Sequence, residues 1–95
     1  GNTNCGLVSA VYVAEVVVSG VTYQQSFFTG TTLLDVPTDQ QWYDAVEALL
    51  LTVPGVSAVT IDSTSSVISI QTEGDLANQQ VVIDLIIQYD INCES

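Results

Sequence analysis

The sequence predicts an α+β fold: an antiparallel sheet of about five strands, in the order β-β-α-β-β-β, with one amphipathic helix packed on one face. Three observations predict it. From Val81 to Cys93 the odd positions are Val81, Ile83, Leu85, Ile87, Tyr89, Ile91 and Cys93, and the even ones include Asp84, Gln88, Asp90 and Asn92. That two-residue period is the pattern of a half-buried strand. Trp42, Ala45, Val46, Leu49, Leu50 and Val53 recur instead at helical spacing and form one apolar stripe. The other apolar runs are short, rich in β-branched residues and bounded by turn residues.

The first strand is expected over Leu7 to Val18. Its even positions Val8, Ala10, Tyr12, Ala14, Val16 and Val18 are all apolar, and its odd positions include Val11, Val13 and Val17, interrupted by Ser9 and Glu15. A strand apolar on one side and half apolar on the other is central in its sheet or covered by something else. Ser19-Gly20 is a turn, and Val21 to Phe28 is the second strand of a hairpin. Phe27 and Phe28 are adjacent, so regular alternation points them to opposite sides and leaves one exposed.

After the connector from Thr29 to Val36 and after Pro37, Thr38 and Gln41 make a capping box, in which each side chain satisfies an orphan backbone N–H. Asp39 stands in the first turn, where the helix dipole favours a carboxylate. Asp44 and Glu47 point away from the stripe, and Pro54-Gly55 ends the helix. Val56 to Ile61 and Ser66 to Gln71 form a second hairpin around Asp62, residues Glu73 to Asn78 form a polar loop, and the last strand follows. With no linker or repeat, residues 1–95 make one domain.

Cys5 and Cys93 lie almost at the two ends and are expected to bond, which is easiest if the first and last strands are neighbours. A disulfide implies an oxidising compartment. The first residue is Gly1 rather than Met, which suggests a processed or trimmed chain. No apolar run reaches the roughly 18 residues of a membrane helix, so membrane insertion is not expected.

Charge excludes more than it assigns. The chain has 11 Asp and Glu, no Lys, Arg or His, and a formal net charge of −11. Phosphate contacts need Lys or Arg, so no nucleic-acid partner is expected. The carboxylates are too sparse to imitate a nucleic acid. Ser or Cys nucleophiles lack a His or Lys base, phosphoryl transfer lacks a cation, and no two carboxylates stand out as a glycosidase pair. The expectation is that the chain is not an enzyme. It carries no cofactor motif; calcium is the most reasonable ligand, through Asp62, Glu73 and Asp75, which lack EF-hand spacing.

With chemistry excluded, assembly remains. Only 12% of residues are charged, so the polar surface is mostly uncharged and suits contact with neighbours. The expectation is a non-enzymatic structural subunit of a virion or an extracellular, cell-surface assembly, such as a tailed-phage capsid or tail component. Its partners would be copies of itself and other structural proteins, through Val11, Val13, Val17 and Phe28. The alternatives are a bacterial or archaeal surface-filament subunit, whose N-terminal strand completes a neighbour's sheet, and a small secreted binding module, in one version calcium-dependent.

Overall fold

The fold is known from a computed structural model, described over residues 4–72 and 80–94. Strand β1 runs Asn4–Val18, β2 Val21–Gly30, helix α1 Asp39–Leu51, β3 Val56–Asp62, β4 Val67–Thr72 and β5 Val81–Glu94. The chain is α+β with five antiparallel strands, divided into a three-stranded sheet in the order β2-β1-β5 and a two-stranded sheet of β3 and β4.

β1 is the central strand of the larger sheet, and its partners follow from local chemistry and from length. Ser19 and Gly20 both adopt positive φ, the primed turn that matches strand twist, and Val18 pairs with Val21 across it. On the other edge, β5 pairs with β1 from Val18↔Val81 to Asn4↔Glu94. Cys5 faces Cys93 in this ladder, with Cα atoms 4.0 Å apart, and the two form a disulfide.

Two bulges change which residues share a side. In β2, Tyr12 faces Phe28 and Val13 faces Ser26, so Phe27 is the extra residue. Phe27 and Phe28 therefore do not diverge: both rings meet Tyr12 edge-on, at centroid distances of 6.4 and 5.7 Å. In β1, Leu7 faces Ile91 and Ser9 faces Asp90, so Val8 is the extra residue. Val8 leaves the apolar row of even positions and is exposed, while Leu7 and Cys5 join that row's side.

Helix α1 opens with the expected box: Gln41 N–H donates to Thr38 Oγ1 at 3.1 Å, and Thr38 N–H donates to Gln41 Oε1 at 2.8 Å. Its stripe of Ala45, Val46, Leu49 and Leu50, with Val53, packs on Ala14, Val16 and Val18 of β1. Trp42 is partly buried and lies 5.8 Å from Phe27. The β3–β4 hairpin adds Val59, Ile61, Ile68 and Ile70 to the same core, and the Tyr43 hydroxyl meets Ser66 Oγ at 3.2 Å. Gly30 ends β2 where Asp35 folds back over it, and a side chain there would collide with the Asp35 carbonyl.

Helix and sheet differ in length. α1 has 13 residues and is about 20 Å long; β1 has 15 and is about 50 Å long. The helix covers only the end of the sheet near the Ser19-Gly20 turn. The other end projects as a ribbon, so the molecule measures 60 × 29 × 17 Å, with a radius of gyration of 16.8 Å against about 12 Å for a compact chain of this size.

The disulfide closes a loop with a sequence separation of 88, worth about 4–5 kcal/mol in the chain-entropy account. The double variant Cys5→Ser/Cys93→Ser is expected to unfold about 4 kcal/mol more easily in urea. A loss below about 1 kcal/mol would show that the bond barely restrains the unfolded chain.

Candidate functional site

The sheet has a helix side and an open side, and register decides what each carries. On the helix side lie the even residues of β1 from Ala10 to Val18 and the odd residues of β5. Beyond the Val8 bulge this side continues through Leu7 and Cys5, opposite Ile91 and Cys93. The open side carries Val11, Val13, Glu15 and Val17 of β1 with Val82, Asp84, Ile86, Gln88 and Asp90 of β5.

All four carboxylates of β1 and β5, namely Glu15, Asp84, Asp90 and Glu94, therefore fall on the open side. The helix side of those strands carries none. Past the end of the helix its apolar groups are uncovered: Tyr89 is 54% exposed and Ile91 56%. The connector adds Leu33 and Leu34, the latter 93% exposed. Cys5, Gly6, Leu7, Leu33, Tyr89 and Ile91 line a groove of about 330 Å³. An exposed apolar surface with a groove of this kind is a candidate contact surface. Sequence alternation placed Tyr89 on the core side; it does lie on the helix side, but past the reach of the helix.

The residues expected at an interface are placed differently. Val13 is only 5% exposed and stands between Ser26 and Ile86 of the two flanking strands. Val11 and Val17 are half-buried and share the open side with the four carboxylates. Phe28 is half-buried against Tyr12. The groove residues were missed because their grouping depends on the Val8 bulge and on where the helix stops.

β5 is an edge strand of its sheet: β1 occupies one side, and among the described residues no strand pairs with the other. β1, in contrast, is paired on both edges over most of its length, so the expected donation of the N-terminal strand to a neighbour has no free edge there to use. At the tip, from Asn4 to Leu7, β1 pairs with β5 alone.

Of the calcium candidates, Glu73 and Asp75 lie outside the described residues. Asp62 is exposed at the start of the β3–β4 turn, where its Oδ1 accepts the backbone N–H of Thr64 at 3.0 Å and of Ser65 at 3.4 Å. The Ser65 hydroxyl, followed by these two N–H groups, holds the Asp62 carboxyl below its ordinary 3.8. Among the described residues no three His, Cys, Asp or Glu side chains are grouped as metal ligands, and no helix is long and apolar enough to cross a membrane.

Two predictions concern these carboxylates. A carboxyl whose folded value is depressed contributes stability above its unfolded value and loses it as pH falls through the folded one. The β3–β4 turn should therefore loosen only below about pH 4, with the Thr64 and Ser65 amide resonances shifting together with the Asp62 carboxyl; amides that shift independently of it would sink this assignment. Glu15 and Asp84 face each other across β1 and β5, with Gln24 donating to Glu15 at 2.7 Å and no side-chain cation in the chain. Like charges directly opposite destabilise a sheet, so Asp84→Asn should raise the unfolding free energy by about 0.2–1 kcal/mol in denaturant titration. No protein-family model matches the chain, and no curated protein or solved structure matches it either.

Proposed function

We propose that the chain is a non-enzymatic structural subunit of an extracellular or virion assembly. The observation that supports this reading is the projecting ribbon, which combines a β5 edge unpaired among the described residues with an apolar side free of carboxylates. A chain with a net charge of −11 and no side-chain cation can meet its own copies only where the carboxylates of one copy are not set directly against those of the other. The Cys5–Cys93 disulfide agrees with life in an oxidising compartment.

A surface-filament subunit is the second reading, and the long β5 edge favours it because strand addition builds filaments from such edges. A secreted calcium-dependent module draws no support from Asp62, whose carboxylate is engaged by its own turn.

The test is size-exclusion chromatography with light scattering at micromolar concentration. The mass should exceed the 10.1 kDa of one chain. The associated fraction should rise between 0.1 M and 1 M salt, as the Debye length falls from about 10 to about 3 Å and repulsion between subunits is screened. A mass of one chain at both ionic strengths would remove the subunit reading.

A further inference from the structure

We propose that β5 pairs edge to edge and antiparallel with β5 of a second copy, about a two-fold axis at Gln88. This rests on the reading of the chain as an assembly subunit and names the surface through which it assembles.

The first support is the edge itself. The 4.0 Å Cα separation of Cys5 and Cys93 marks the narrow, non-hydrogen-bonded kind of antiparallel pair. In the β1–β5 ladder the N–H and C=O of the odd residues of β5 therefore point away from β1, towards the unpaired edge. Proteins that keep such an edge single guard it with Pro, charged side chains (Lys above all), a bulge or a short strand; the charges of β5, Asp84, Asp90 and Glu94, all lie on the open side of the sheet. β5 runs for 14 residues without Pro or Lys, and the bulged strands of its sheet are β1 and β2. The opposite edge, β2, is shorter and is interrupted at Phe27.

Charge selects the register of a pair with a second copy. A two-fold pair keeps the same side of both sheets together only if paired residue numbers sum to an even constant. Placing Ile87 opposite Ile87 sets Asp84 against Asp90, a direct like-charge opposition. Placing Gln88 opposite Gln88 removes it: Asp84 faces Asn92, Asp90 faces Ile86 and Glu94 faces Val82. In that register the helix side matches as well. Leu85, 45% exposed, faces Ile91, and Tyr89 faces Ile87, so the exposed apolar groups on the helix side of β5 meet apolar partners. Centring on Ile86 also separates the carboxylates but leaves Asn92 to Glu94 without partners. The result is one six-stranded sheet, β2-β1-β5-β5-β1-β2, closed by its two-fold axis.

Three variants and one control test this by sedimentation velocity and non-reducing electrophoresis, each checked for folding by circular dichroism. Leu85→Glu should weaken the dimer about tenfold or more, because a carboxylate is then buried against Ile91 of the other copy. Leu85→Glu/Ile91→Lys should restore it, since the introduced charges face each other across the axis. Gln88→Cys, an exposed position, should form a dimer whose linkage peptide mapping places between the two position-88 thiols; Asp44→Cys on the helix should not. An oligomer that persists with Leu85→Glu and gives no position-88 linkage overturns the β5 pairing and leaves the subunit reading standing. A wild-type chain that stays single at every concentration overturns both.

Discussion

The ladder between β1 and β5 is the interaction on which the rest of the structure depends. It joins the two ends of the chain, so its contacts are almost all long-range, and loop-closure entropy must be overcome before they form. Once formed, it presents Ala14, Val16 and Val18 as the floor on which α1 packs, and it brings Cys5 opposite Cys93. The helix in turn carries the β3–β4 hairpin. The small core, with Leu50, Val16 and Val46 fully buried, is thus assembled on one strand that is hydrogen-bonded along both edges.

Acidity without compensation is tolerated because the carboxylates are spread out and left in water. No charged residue is buried among the described residues, and partners are found in amides and hydroxyls: Gln24 for Glu15, Gln40 for Asp44, the turn backbone for Asp62. The two-residue period of the strands then sorts the sheet's charges to one side without any further device. What remains exposed between the carboxylates is largely uncharged and suited to neutral contact.

Much of this was legible in the sequence because it depends on neighbours along the chain. Thr38 with Gln41, Ser19 with Gly20 and the alternation from Val81 to Cys93 each carry their physical reason within a few residues. What was illegible depends on partners far away. Nothing in Val8 or Phe27 marks a bulge, since neither is Gly or Pro; the extra residue is created by the register of the opposing strand. One inserted residue reverses every side-chain direction beyond it. That reversal moved Leu7 and Cys5 to the helix side and turned both phenylalanines towards Tyr12. The five strands were foreseen, whereas their division into three and two was not, because hydrophobic period says which side is buried and not which edges meet. The site followed the same rule: Tyr89 and Ile91 were read as core because alternation cannot say where the covering helix ends.

The position of the disulfide has a mechanical meaning. Tension applied through the segments flanking Cys5 and Cys93 passes from one to the other across a covalent bond. The helix, the hairpin and the whole core lie inside that closed loop and carry none of the load. Force that would peel β5 from β1 one hydrogen bond at a time is shunted past the ladder. In the array proposed above, a chain built this way would be pulled without being unfolded by the pull, and whatever yielded first would lie between copies and not within one.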